Sequence, residues 1–361
     1  MTDSLRAIQK QLGAEFEDSA IAPLSFGNDE AALQAARSGV ALCDRTHWGR
    51  IELSGSDRLN FLHNQSTNDF KKLKPGEGCD TVFVTSTART IDLATAYILE
   101  ESVLVLVSPN RREYLLKWLD RYIFFGDQVT LTDVTEQTVT FNLIGPKSSG
   151  LLKQCGIDIA AIDTAAMDTA AKNRHASHWL VTLDNQPVRI AVGSGLALEG
   201  YTLIADQVAA VALWQRLADA GAVPLGERVW ERLRIEQGRP APDYELTEDY
   251  NPLEAGLWQT LSFDKGCYIG QETIARLDTY KGVKQQLWGI HLERKVAPGT
   301  PITLNEEKIG TLTSLTETDR GAIGLVYIRT KAGGAGLHVK VGETEGDVVD
   351  LPFVTRDRVS E

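Results

Sequence analysis

Two periods of apolar positions trade places along this chain until about Val283, and beyond that point only one of them continues. Helical spacing runs through "SLRAIQKQL" and "DEAALQAARSG", with Asp29 placed to cap the second helix and Gly39 to stop it. "RIELSG" then alternates, which puts Ile51 and Leu53 on one face of a strand. "SDRLNFLHNQS" returns to the helical period, with Leu59 and Leu62 inward and Ser56 as its cap. From Cys79 to Val107 the β-branched runs "CDTVFVTS", "IDLATAYIL" and "SVLVLVS" are divided by short polar turns, the pattern of an antiparallel sheet. A helix, "NRREYLLKWLDRYI", follows.

The succession then repeats: strand "TVTFNLIG", helix "PKSSGLLKQCG" begun by Pro146, strands "HWLVTLD" and "VRIAVG", and helix "DQVAAVALWQRLADAG" closed by Gly221. Hairpins mixed among helices favour α+β layers with antiparallel sheets over a doubly wound parallel sheet. No GxGxxG follows a strand, so nothing points to a dinucleotide. "ERVWERLRIEQG" aligns Val229, Trp230 and Leu233 on one stripe and stops at Gly238, with Pro240 and Pro242 beyond. After "KGVKQ" come only short strands: "QLWGIHLE", "PITL", "KIGTLTSLTE", "AIGLVYI", "GLHVKV" and "VVDLPF". Residues 1–283 therefore read as an α+β region and 284–361 as a small β-barrel.

Composition narrows the class. At 361 residues the chain suits two or three domains of ~150 residues each. With 43% hydrophobic and 24% charged residues it reads as globular, not disordered. No apolar run approaches the ~18 residues of a membrane span. "MTDSLRAIQKQLGAEFEDSA" lacks the apolar centre of a signal peptide, so the expected setting is cytoplasmic, without a membrane partner. A formal charge of −12 argues against nucleic acid, whose binding needs clustered Lys and Arg.

The four cysteines, Cys43, Cys79, Cys155 and Cys267, lie far apart with no CxxC pair, which disfavours a metal knuckle, a disulfide framework or an iron–sulfur ligand set. Cys43 and His47 in "CDRTHW" would share a helical face, but two ligands fall short of the three or four a metal needs. Cys43 and Cys155 are expected at the ends of apolar helices, and Cys79 at the start of a strand.

"KGCYIGQE" holds the chemistry most worth testing. Lys265 two residues before Cys267, and a helix starting near Gly270, would favour the thiolate, while Asp264 and Glu272 oppose it. Gly266 and Gly270 let another group come close to the backbone. The alternative is a buried structural cysteine on a tight turn. Gln271 and Glu272 read equally well as solvated residues of a helix's first turn. Arg276, one turn on, shares their face and could pair with Glu272.

The run "NPLEAGLWQTLSFDKGCYIGQETIARL" resembles the signature of the YgfZ family, folate-binding iron–sulfur maturation factors related to the glycine-cleavage T-protein (aminomethyltransferase). "GVALCDRTHWGRIELSGSDRLNFLHNQSTND" resembles the T-protein's N-terminal pattern, and "LRIEQGRPAPD" its helix before the folate cleft, so the likeness runs from about Gly39 to the end. It implies an α+β fold: a three-domain ring of two interleaved mixed α+β domains and a C-terminal β-barrel around tetrahydrofolate or a one-carbon derivative of it. It further implies Cys267 and Lys265 as working residues. Asp92, Glu199, Arg232, Arg234, Arg239, Tyr268, Gln271, Glu272 and Arg276 would hold the cofactor, the arginines meeting folate carboxylates. Exposed helix arginines are the alternative for any one of them.

Two departures bear on activity. The T-protein's successive acids become "TARTIDLATAY", which keeps Asp92 and has Leu93 beside it. Its folate-contact motif becomes "GSGLALEGYT", which keeps Glu199 and puts Thr202 where a second acid would fall. The resemblance thus implies a tetrahydrofolate-binding accessory protein for assembly or repair of iron–sulfur proteins, a monomer acting on client or assembly proteins. The alternative is a tetrahydrofolate-dependent aminomethyl or methyl transferase, against which the lost acids count.

Overall fold

The apolar stripe of the first helical run winds into α1 (Thr2–Gln11) and that of the second into α2 (Asp29–Ser38), which buries Ala32, Leu33 and Ala36. The computed structural model describes residues 2–18, 20–159 and 174–358, so the end of the expected barrel, 359–361, lies outside the described residues. Asp29 turns out to be the first residue of α2, with Asn28 in the cap position; its carboxylate accepts from Ser25 Oγ at 2.6 Å and favours the positive helix start from inside the first turn.

There follow β1 (Ala41–Asp44), β2 (Gly49–Ser54), α3 (Arg58–Gln65), β3 (Gly78–Val84), β4 (Thr90–Ile98) and β5 (Ser102–Val107). Next are α4 (Arg112–Asp120), β6 (Thr130–Asp133), β7 (Thr138–Ile144) and α5 (Ser148–Gln154). Then come β8 (His178–Leu183), β9 (Gln186–Val192), β10 (Gly200–Asp206), α6 (Ala210–Asp219), β11 (Val223–Leu225), α7 (Glu227–Gln237) and α8 (Gln271–Thr279). The chain ends in β12 (Gln285–Leu292), β13 (Pro301–Leu304), β14 (Glu307–Thr318), β15 (Gly321–Arg329), β16 (His338–Val341) and β17 (Thr344–Val349).

These elements gather into two units, each drawn from separated parts of the chain. The first comprises Met1–Arg58, Leu73–Cys79 and Thr95–Trp230. Its six-stranded sheet runs β11-β1-β7-β10-β9-β8, with β1 parallel to β11 and the remaining pairs antiparallel. Leu42, Phe141, Leu143, Ile190, Leu203 and Trp214 are in its core. Cys43 belongs to β1, opposite Asn142 and Leu225, so it shares no helix with His47 and ends none. Four residues are too few for a period to declare itself; pairing on both edges makes them a strand.

The second unit comprises Leu59–Lys72, Asp80–Ala94 and Glu231–Glu361. Its last six strands close into a barrel in the order β12-β15-β14-β13-β16-β17, so the chain is of the mixed α+β class with a C-terminal barrel, as its patterns imply. Ile290, Ile302, Leu312, Val326, Ile328 and Val341 fill the barrel. β14 slips register between Leu312 and Ser314. A strand normally turns neighbouring side chains to opposite faces, and the slip lets Thr313 and Ser314 both donate to Glu245 Oε1, each at 2.6 Å. Among the described residues no helix is long and apolar enough to cross a membrane.

Candidate functional site

Within the second unit, the segment ahead of α8 is laid across the C-terminal end of α3. Thr67 Oγ1 donates to the Thr260 carbonyl at 2.9 Å, Ser262 N donates to the Thr67 carbonyl at 3.0 Å, and Ile269 N donates to the Asn64 carbonyl at 3.0 Å. Between these ties Lys265, only 6% exposed, donates to the carbonyls of His63, Ser66 and Asn68 at 2.5, 2.7 and 2.6 Å. A helix end presents carbonyls without intrahelical partners and a partial negative charge, and an ammonium with three donors answers both. The sequence assigned that charge to the neighbouring thiol; in the structure its three donors are committed to the end of α3.

The rest of the motif is anchored by packing. Tyr268, 8% exposed, lies with its ring 4.6 Å below the Lys265 ammonium and in one apolar cluster with Ala88, Leu253, Trp258, Leu261 and Ile274. Burial pushes the Tyr268 phenol well up, so it stays neutral. Gly270 begins α8 at φ +83°, where an added Cβ would stand 2.9 Å from the Thr85 carbonyl oxygen. Between the buried Lys265 and Tyr268 the chain bulges outward, and Cys267 is exposed. Cys43 and Cys155 are buried, and burial pushes both thiols up; Cys79 is intermediate.

The expected cofactor residues divide by what their donors already do. Arg234, 1% exposed, gives Nε and Nη2 to Glu231, Nη1 to the Arg239 carbonyl and to Glu245, and Nη2 also to Ser314 Oγ. Burial alone would lower its pKa; Glu245 and Glu231 outweigh that and keep it charged. It is a structural clamp, its donors all engaged within the fold. Arg239 is buried, reaches the Leu93 carbonyl at 3.4 Å and lies over the Phe353 ring, while Arg232 pairs with Glu236 at 2.9 Å. Arg276 is exposed, and among the described residues it forms no ion pair with Glu272, also exposed, or with any other acid; Gln271 is half-buried. Asp92 is fully buried on β4. Glu199 belongs to the other unit, exposed on the turn before β10 with its backbone carbonyl accepting from Gly145 N at 2.8 Å.

Tested against folate, the donor set fits in part. Within the second unit, Arg276 offers an uncommitted guanidinium for a carboxylate, whereas the donors of Arg234 and Lys265 are taken within the fold.

Three polar residues escaped the sequence reading. Glu245, fully buried, accepts from Arg234, Thr313, Ser314 and Ala241 N. His63, 2% exposed, has Asp69 Oδ1 3.1 Å from its Nδ1. Burial and then Lys265 lower its pKa against the pull of Asp69, so the ring is neutral near pH 7. "FLHNQSTND" carried the signal, a histidine at a helix end with an acid six residues on, but only its leucines had a period to read.

Two units of mixed sheets and helices, ending in a closed six-stranded barrel and carrying an exposed thiol on a pinned loop, define the class. The chain belongs to the GCVT N-terminal domain family, which matches residues 6–265. It is 43% identical over 358 residues to an Arabidopsis thaliana protein named "Putative transferase At1g60990, chloroplastic", covering 98% of this chain and 80% of that one. It is 28% identical over 350 residues to the aminomethyltransferase of Bacillus mycoides, covering 93% of this chain and 92% of the relative. The crystal structure of the glycine cleavage system aminomethyltransferase T from Bartonella henselae shares the fold, with a TM-score of 0.83 at 19% identity and 99% coverage of both chains.

Proposed function

We propose that this protein binds tetrahydrofolate or a one-carbon derivative and serves, in the cytoplasm and as a monomer, as an accessory factor in the assembly or repair of iron–sulfur cluster proteins. Cys267 is its working group. The observation that carries this reading is the exposure of that one thiol on a loop whose flanking residues, Lys265 and Tyr268, are buried and fixed. A structural cysteine would sit inside, as Cys43 and Cys155 do. In the second unit Arg276 holds a folate carboxylate, and Arg234 and Lys265 hold the fold. Complementation of a strain lacking its own maturation factor tests the reading: wild type restores the cluster enzymes and Cys267→Ala does not. Restoration by both would remove the thiol from the function.

The second reading, a tetrahydrofolate-dependent aminomethyl or methyl transferase, draws support from the names of the relatives and from the retained Asp92. It calls for one-carbon transfer to tetrahydrofolate that Asp92→Asn abolishes and Cys267→Ala leaves intact.

A further inference from the structure

After β17 the chain leaves the barrel and runs back as a strap, residues 350–358, over the part of the second unit that leads into α8. Leu351 and Val354 are its buried anchors, in one apolar cluster with Ile235, Leu287, Leu325 and Tyr327. Two glycines of the covered chain make room for them: a Cβ on Gly238 would stand 2.6 Å from Leu351 Cβ, and one on Gly256 2.6 Å from Val354 Cβ. The backbone is tied as well, with Phe353 N donating to the Gln237 carbonyl at 2.9 Å and Thr355 N to the Gly256 carbonyl at 2.8 Å. Arg356 lies 3.5 Å over the Trp288 ring and donates to the Leu287 carbonyl at 2.9 Å.

Arg358 carries the strap to the motif. Its guanidinium stands 4.2 Å from the centre of the Phe263 ring, Nε donates to Asp278 Oδ2 at 3.1 Å, and Nη2 donates to the same oxygen. Phe263 packs against the cluster that holds Tyr268, and Asp278 is in the last turn of α8. One side chain therefore joins the two flanks of the stretch that presents Cys267. The partners are unequally placed: the Asp278 side chain is 7% exposed and that of Arg358 53%. A carboxylate so buried strongly favours a paired state, whereas water and salt reach the arginine. Lys281 Nζ, 3.6 Å from Asp278 Oδ1, is a second cation for that carboxylate. Release of Arg358 thus uncovers one face of Phe263 and leaves the apolar anchors of the strap in place.

We propose that Arg358 is an ionic latch on the motif. Closed, it holds Phe263 and Asp278 together and fixes the stretch between them; open, it frees that stretch while the barrel stays folded. The latch goes beyond both readings of function and stands whichever of them holds, because it rests on the strap's contacts alone.

Hydrogen exchange on the full chain tests it, with peptides covering residues 263–279 compared with peptides from β14 and β15. Arg358→Ala should speed exchange over 263–279 about tenfold and leave β14 and β15 unchanged. Asp278→Asn should act in the same direction, and the double variant should exchange no faster than the faster single one, since both remove one interaction. In wild type, 1 M sodium chloride should speed exchange of the same peptides about threefold and leave those of Arg358→Ala unaffected. A tie that merely packs would show no such salt response. Equal exchange in wild type and Arg358→Ala, or an equal salt response in the two, would overturn the latch. Faster exchange throughout β14 and β15 in Arg358→Ala would overturn it too, by making Arg358 a general support of the unit. If Arg358→Ala does not fold, Arg358→Lys takes its place: a keyed guanidinium predicts faster exchange over 263–279 alone, and exchange equal to wild type would refute it. Neither folate nor a cluster enzyme enters the measurement, so its failure is separate from failure of the proposed function.

Discussion

Lys265 Nζ donates to the carbonyl of His63, 202 residues earlier in the chain, at the C-terminal end of α3. With the Ser66 and Asn68 carbonyls it completes a three-acceptor cradle that an ammonium fits and a planar guanidinium does not. Lys265→Met should therefore cost the second unit at least about 3 kcal/mol, because it leaves buried carbonyls unmatched. Lys265→Arg should restore little of it. Chemical denaturation measures both, and an unchanged midpoint for Lys265→Met would show that the cradle contributes nothing.

Gly270 answers two demands at once. Its φ of +83° disfavours any L side chain, and a Cβ would stand 2.9 Å from the Thr85 carbonyl oxygen and 3.1 Å from the Ala88 Cα, both backbone atoms that cannot swing aside. Gly270→Ala is expected to destabilise by about 2–3 kcal/mol and to loosen the start of α8. Hydrogen exchange at residues 270–274 would register the loosening, and protection equal to wild type would contradict it.

The arginines should separate by measurement. Arg234→Met removes one partner of the buried pair with Glu245 and should destabilise by about 3–5 kcal/mol. Arg276→Ala should leave stability within about 0.5 kcal/mol and weaken tetrahydrofolate binding by about 1.5–3 kcal/mol. Calorimetry beside thermal melts distinguishes them. Equal folate affinity in wild type and Arg276→Ala would remove Arg276 from the site.

Acid should destabilise the first unit through His178. Burial, then the Arg189 guanidinium 2.8 Å from Nδ1, lowers its pKa to about 3, against about 6.5 in the unfolded chain. Between those values the unfolded state takes up a proton that the folded state refuses, so stability falls as pH drops below about 6.5, by about 1.4 kcal/mol per pH unit. His178→Asn, which keeps an acceptor for Arg189 and cannot titrate, should flatten the slope between pH 6.5 and 4. An unaltered slope would assign the acid sensitivity elsewhere.

Periodicity, turn residues and spacing determined the classes of element. The stripe of Val229, Trp230 and Leu233 is α7, the helix after Gly270 is α8, and the runs after "KGVKQ" are strands of a barrel, because each signal is written within a dozen neighbouring residues. Motif spelling likewise singled out the one thiol that proves exposed. What polar side chains do was decided by the tertiary structure. The charge of Lys265 read as help for Cys267 because the two are neighbours in the chain, whereas its carbonyl acceptors lie about 200 residues away. Arg234 read as a ligand's partner because its stripe showed a helix and not the buried Glu245 it meets. Cys43 read as helical because four residues hold no period, and it is a strand because Asn142 and Leu225 stand on either side of it. Helical and strand periods are local and survive in one dimension, but hydrogen-bond donors are satisfied by whichever acceptor folding brings near, and no spacing along the chain records which one that is.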